Sequence, residues 1–309
     1  MARARERGWP APPEPLPLPV VDNHTHLETV VGWRAPGWDG TDESAPPSLA
    51  AQLERAARVG VPRLVQVGCD VAAVRWTDEV VREHAALLGA VAIHPNEAVL
   101  HAGVHEVAPD GLDPDPAPHH DLALDEALDL VARTARGNPR IRAIGETGLD
   151  FFRAGPRGRE VQLEAFRAHV ALAKELGLAL QIHDRDAHDE VVEVLLRDGA
   201  PERTVFHCFS GGPGLAAVAA EHGWFCSFAG PVSFPSNEHL RDAARALPAE
   251  LLLVETDAPY LTVHPHRGRP NAPYLLPGTV RALADARGAD LAELCATLSR
   301  TSEAVYGAW

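Results

Sequence analysis

The chain has 309 residues and a formal net charge of −15, from 28 Lys+Arg against 43 Asp+Glu. That balance excludes broad electrostatic adhesion to nucleic acid, which needs a basic surface to release counterions, but it leaves room for a phosphate substrate met by divalent cations and a few arginines. Hydrophobic residues make up 46% and charged residues 23%, ordinary for a globular chain long enough to bury its core without relying on a disulfide or metal staple.

The first segment carries Arg3, Arg5 and Arg7 and then prolines at 10, 12, 13, 15, 17 and 19. No apolar run follows the arginines, so no signal peptide is expected, and no run of 18 apolar residues occurs anywhere that would span a membrane. Residues 1–16 are therefore expected to be a flexible, polyproline-like arm ahead of one domain over 17–309. Cys69, Cys208, Cys226 and Cys295 are far apart and form no CxxC pair, which predicts a reducing cytoplasmic setting without disulfides or thiolate zinc.

From residue 17 short β-branched runs alternate with helical stretches. Strands are expected near 18–23, 63–68, 89–93, 140–145, 178–183, 203–207, 224–229 and 250–254. They are continuous apolar runs, as parallel strands buried on both faces require. Helices are expected near 47–59, 71–86, 121–135, 158–176, 187–198, 213–222, 236–247 and 277–305. The stretch 160–176 is the clearest, with Val161, Phe166, Val170 and Leu172 on its apolar face and Gly177 as its stop. This rhythm predicts a (β/α)₈ TIM-type barrel; a doubly wound sheet would show a glycine-rich phosphate loop after its first strand, and none is present. Residues 31–46 and 100–120 interrupt the rhythm as loops. His101, His105, His119 and His120 invite a metal reading of the second, but its proline content assigns it to a mobile surface loop.

Metal-type side chains recur at the ends of the expected strands: His24 and His26, His94, Glu146, His183, His207, and Asp257 just beyond the last strand. A barrel gathers all its strand ends around one mouth, so these residues converge. At period two His24 and His26 point the same way and can chelate one ion. Glu146 is a carboxylate and can bridge two ions; Gly145 and Gly148 beside it allow close backbone approach. The first lysine of the chain is Lys174, inside a helix, so no lysine stands at these strand ends to supply a bridge. Glu255 is placed to support a ligand from behind. Imidazoles with carboxylates suit Zn, Mn, Mg or Co without selecting among them. A pair of such ions acidifies water for attack on a phosphoryl or carbonyl centre.

The stretches DNHTHLE (22–28), AIHPNE (92–97), AIGETGLDFF (143–152), LQIHDRDAHDE (180–190), VFHCFSGG (205–212) and LLLVETDAPYLTVHPHRGRPNAPYLLP (251–277) resemble, in order, the motifs of the TatD family of metal-dependent deoxyribonucleases. The resemblance covers roughly residues 18–307. It implies a two-metal hydrolase with one ion on His24, His26, Glu146 and Asp257 and the other on Glu146, His183 and His207. Asp257 would double as general base, and Glu146 would serve catalysis as the bridge. His94, His266 and Arg267 would line the substrate pocket, and the implied substrate is single-stranded DNA cleaved by a monomeric exonuclease. Two positions differ from many members: Asp184 replaces Ser after His183, and Pro235 and Ser236 stand where a lysine is common. The alternative is a two-metal hydrolase of a small ester, lactone, phosphotriester or aminoacyl substrate, because the same ligands serve carbonyl and phosphoryl chemistry alike.

Overall fold

The computed structural model describes residues 8–34 and 47–309. Eight strands follow one another in sheet order: β1 Val21–Thr25, β2 Arg63–Gly68, β3 Leu87–Val91, β4 Ile141–Asp150, β5 Ala179–Arg185, β6 Thr204–Phe206, β7 Phe225–Phe228 and β8 Leu252–Val254. Every pairing is parallel. Between β8 and β1 the ring is drawn together by a parallel bridge of Thr25 with Ala258 and by the hydrogen bonds Asp257 N–H to His24 O (2.9 Å) and His26 N–H to Ala258 O (2.8 Å). The result is a nearly closed TIM barrel, as the strand–helix rhythm predicts.

The alternation of side chains along each strand divides the core in two. Val65, Val67, Leu88, Ala90, Ala143, Ala179, Val205 and Leu253 point inward and pack with Tyr306. The intervening residues, such as Leu64, Leu87, Ile144, Leu180 and Phe206, face the helices. The Gln181 amide donates to both the Tyr306 hydroxyl and the Asn23 carbonyl (2.8 Å each), fixing β5 against β1 inside the barrel.

Helices cover the outside: α1 Leu27–Gly32, α2 Leu49–Arg58, α3 Val71–Glu83, α4 Pro95–His101, α5 Leu124–Gly137, α6 Pro156–Leu176, α7 His188–Asp198, α8 Pro213–His222, α9 Glu238–Ala246, α10 Leu276–Arg287 and α11 Leu291–Tyr306. Two of these, α1 and α4, fall where sequence periodicity gives no helix, because six or seven residues are too few to show a period. The single helix expected over 277–305 is two. Gly288 turns left-handed at φ 60°, and the Asp290 side chain caps the next helix by accepting from the amides of Ala292 and Glu293.

Residues 1–7, part of the expected flexible arm, and 35–46, most of the expected 31–46 loop, lie outside the described residues. The rest of the arm is tied to the barrel. Leu16 is buried, with its amide donating to Val59 O (3.0 Å). Arg269 donates to the carbonyls of Gly8 and Trp9, the Tyr274 hydroxyl to Pro10 O, and Arg281 to Pro15 O. A proline-rich strand has free carbonyls, and the barrel supplies the donors that make 8–16 a strap instead of a loose tail.

Candidate metal centre

All six residues expected as ligands meet at one end of the barrel, where the strands finish. Glu146 stands at the centre. Its Oε1 lies 2.6 Å from His183 Nδ1, 2.8 Å from His207 Nε2 and 3.4 Å from His94 Nε2. Its Oε2 lies 3.5 Å from His24 Nε2 and 3.6 Å from His26 Nε2. Asp257 Oδ1 faces the same two rings, at 3.9 and 3.5 Å, and the two Nε2 atoms are 3.3 Å apart. One carboxylate oxygen is thus turned to each group of imidazoles.

These spacings fit metal ions. A tetrahedral ion with bonds of about 2.1 Å holds its ligand atoms about 3.4 Å from one another. His24 Nδ1 is buried without a hydrogen-bond partner, and the Nε2 atoms of His24 and His26 face each other with no group between. Three overlapping sets made of imidazoles and carboxylates alone answer the requirement: His24, His26 and Asp257; His24, Glu146 and His207; and His94, Glu146 and His183. The last places His94, expected only to line the pocket, among the possible ligands.

The rings are held from behind. His26 Nδ1 donates to the Val67 carbonyl (3.1 Å), and His207 Nδ1 to Glu255 Oε1 (3.0 Å), so that each ring, when neutral, would turn its Nε2 lone pair toward Glu146. Glu255 also accepts the Cys208 amide (2.7 Å). Asp257 keeps its position with φ at +53°, a conformation unusual for a residue with a side chain. Gly145 and Gly148 act as expected. A Cβ on Gly145 would sit 2.5 Å from the Gln181 Cβ, and one on Gly148, at φ +143°, 2.0 Å from the His183 carbonyl. Only glycines let β4 deliver Glu146 this close to β5.

Burial and charge oppose each other here. Burial would raise the Glu146 carboxyl, but the charges of His207 and His94 and hydrogen bonds from His183 and His207 hold it well below the usual carboxylate range. Burial would lower His207, but the charges and hydrogen bonds of Glu146 and Glu255 carry it well above the usual imidazole range. His183 is likewise opposed by burial and raised to about 9 by Asp150 and Glu146. His24, with desolvation dominant, is lowered. In the metal-free protein the carboxylates therefore hold protons on facing rings, in the places that cations would take.

Sequence reasoning passed over several neighbours. Asp150, 1% exposed at the end of β4, lies 3.3 Å from His183 Nε2 and accepts from the Asn96 amide (3.1 Å). Cys69 shares a set with His26 and Glu146, but burial pushes its thiol up to about 12, so it enters as a neutral group. Asp22 accepts the Thr256 amide (2.9 Å) and hydroxyl (2.6 Å), locking the segment that carries Asp257 onto β1. Both aspartates stand in the motifs quoted above, where only the barrel geometry distinguishes a supporting carboxylate from a ligand. Asp184 turns away from the centre and accepts from His188 Nδ1 (2.7 Å). Arg267 lies over the Phe234 ring, 4.5 Å from its centroid, in a cavity of about 540 Å³ that also includes Trp33, Pro259 and Leu261. Next to it, half-buried His266 closes a turn through its amide to the Val263 carbonyl (2.8 Å). Neither residue belongs to any of the three ligand sets.

The sequence matches the family model described as TatD related DNase over residues 21–307. The chain belongs to the TatD family. A metal-dependent hydrolase named TatD from Mycobacterium tuberculosis, itself uncharacterized, is 38% identical over 93% of this chain and 98% of its own length. A 3'-5' ssDNA/RNA exonuclease TatD from Erwinia amylovora is 31% identical over 82% of this chain and 92% of its own. The crystal structure of YjjV, a TatD homologue from Escherichia coli K12, shares the fold with a TM-score of 0.76 at 24% identity, covering 93% of this chain and 97% of that one. This TatD-family chain is thus a hydrolase of the metal-dependent type, and its His, Glu and Asp clusters could hold divalent ions. No described helix is long and apolar enough to cross a membrane.

Proposed function

We propose that the protein is a metal-dependent deoxyribonuclease that removes nucleotides from single-stranded DNA, using two divalent ions from among Mg, Mn, Zn and Co. The observation that carries the hydrolytic part is Glu146 with one oxygen toward His24 and His26 and the other toward His183 and His207. The nucleic-acid part draws on the relative named as an ssDNA/RNA exonuclease. His24, His26, Glu146 and Asp257 would hold one ion, and Glu146, His183 and His207 the other. When bound, the ions acidify water and neutralise charge on the phosphoryl group.

The protein's own groups do the rest. Asp257 Oδ1, at the face shared with His24 and His26, accepts the proton of the attacking water. Val67 O and Glu255 keep His26 and His207 in the tautomers that present Nε2. His94, His266 and Arg267 bind the phosphate, with Arg267 suited to bidentate contact. Trp33 and Phe234 in the adjoining cavity, with the half-exposed Tyr260 ring 5.9 Å from His26, offer faces on which unpaired bases stack. The cysteines are free thiols, in keeping with a cytoplasmic location.

The test is release of mononucleotides from a labelled single-stranded oligonucleotide, beside the same sequence as a duplex, by metal-loaded protein. Release from the single strand supports the proposal; none, where a control nuclease works, overturns it. The net charge of −15 favours a second reading, hydrolysis of a small ester, lactone, phosphotriester or aminoacyl compound. A panel of those substrates in the same assay separates the two.

A further inference from the structure

The 100–120 segment, read from its prolines as a mobile surface loop, brings two of its four histidines onto one carboxylate and a third within 4.8 Å of it. Glu97, in the first turn of α4, and His101, at its end, are four residues apart and share a helix face. His119 and His120 return to that face on a 3-10 turn, Pro118–Asp121. Their Nε2 atoms lie 2.9 and 2.8 Å from the same oxygen, Glu97 Oε2. One potential ligand atom from each of Glu97, His101, His119 and His120 lies within 4.8 Å of all the others. His105 is exposed and takes no part in this group.

Hydrogen bonding sorts the three rings. His101 is 5% exposed, and its Nδ1 lies 2.7 Å from the Leu122 carbonyl, to which only an N–H can donate. Its Nε2 therefore bears a lone pair, and that atom is buried with no hydrogen-bond partner. A buried acceptor left unmatched is destabilising unless something occupies it. His120 is the reverse case. Its Nδ1 accepts the Ala117 amide (2.8 Å), so its Nε2 carries the proton and donates to Glu97.

We propose that Glu97, His101 and His119 form a second metal site, separate from the barrel mouth, with His120 as the positioning residue that orients the Glu97 carboxylate. Two imidazoles and a carboxylate, with the fourth position left to water, suit zinc. On binding, the neutral His119 ring takes the tautomer with its proton on Nδ1, which frees Nε2 for the ion. The site closes residues 102–118 into a loop whose two ends share an ion. Elsewhere that loop is held to the turn after β4 and to α6 by the Asp110 amide on Phe152 O (3.2 Å) and by Glu106 Oε1 accepting the Gly158 amide (2.6 Å). Asn96, beside Glu97, reaches Asp150, so the clamped loop stands next to the mouth. The site does not depend on the nuclease reading.

The test is zinc stoichiometry in a His24→Ala, His26→Ala, His94→Ala, His183→Ala, His207→Ala variant, whose mouth has lost its imidazoles. The expected content is one zinc per chain, falling to none when His101→Ala or Glu97→Gln is added, with the far-ultraviolet spectrum unchanged. His120→Ala should weaken zinc binding about 10–100-fold without abolishing it. Should the mouth variant fold poorly, the same comparison is made between the unaltered protein and His101→Ala, where one zinc fewer per chain is expected. Hydrogen exchange then reads the loop directly: amides of 102–118 exchange faster after chelation in the unaltered protein but not in His101→Ala. A folded mouth variant with no zinc, or zinc that survives both His101→Ala and Glu97→Gln, would overturn the proposal.

Discussion

His169 links the site's surroundings to stability in a way that can be worked out numerically. The ring is 1% exposed on α6. Its Nε2 accepts the Ile93 amide (3.2 Å), so Nδ1 carries the proton, which it donates to the Ala165 carbonyl (2.8 Å), with Thr147 Oγ1 2.9 Å away. Burial pushes its pKa from 6.5 down to about 4, against a smaller opposing effect of the Ala165 carbonyl. The folded protein thus holds His169 neutral where the unfolded chain begins to protonate it. Stability from this group is complete above pH 6.5 and is lost as pH falls from 6.5 toward 4. The loss is about 2 kcal/mol at about pH 5 and about 3 kcal/mol once both forms are protonated. The assay is urea unfolding of chelator-stripped protein at about pH 7 and about pH 5, beside His169→Gln, whose amide can accept from Ile93 and donate to Ala165. The variant should lose about 2 kcal/mol less than the unaltered protein over that interval. Equal losses in both would refute the argument that His169 is buried neutral.

Other expectations follow from the same geometry. Glu146→Gln removes the charge shared by both ligand groups, and turnover should fall roughly a thousand-fold or more together with metal content; unchanged metal content would contradict the bridging role. Asp257→Asn should keep the fold and lower kcat about 10²–10⁴-fold, measured as initial rates at saturating substrate. Gly148→Ala forces a Cβ against the His183 carbonyl in a left-handed backbone, so unfolding free energy should drop by about 3 kcal/mol or more, visible in a urea midpoint. The raised pKa values of His183 and His207 mean that ions displace protons. Calorimetry in buffers of different ionisation enthalpy should therefore show proton release near pH 7, with apparent affinity weakening as pH falls.

The barrel was legible because parallel strands buried on both faces leave continuous apolar runs, and each of the eight expected runs overlaps an observed strand, although the third lies two residues late and the fourth stops five residues short of Asp150. The first is displaced: Pro17 and Pro19 cannot donate to a ladder, so β1 begins at Val21. The candidate ligands could be picked out because each of His24, Glu146, His183 and His207 stands in or directly after its strand. Among supporting residues Glu255, which holds His207 from behind, was expected, but Asp150 and Cys69 were not, since they act through partners 33 and 43 residues away in sequence, namely His183 and His26. The 100–120 loop misled for a similar reason. Its prolines describe local stiffness and say nothing of Glu97, the residue outside the loop on which His119 and His120 converge. Composition also hides what holds residues 8–16, because the donors are Arg269, Tyr274 and Arg281 at the far end of the chain.

The central claim is that two groups of imidazoles share Glu146 to hold a pair of ions at the barrel mouth. Anomalous scattering from crystals grown with manganese or zinc tests it most directly. The account predicts one peak among His24, His26 and Asp257 and another beside His183 and His207, each within bonding distance of a Glu146 oxygen. A mouth without peaks, or peaks that leave Glu146 uncoordinated, would contradict it.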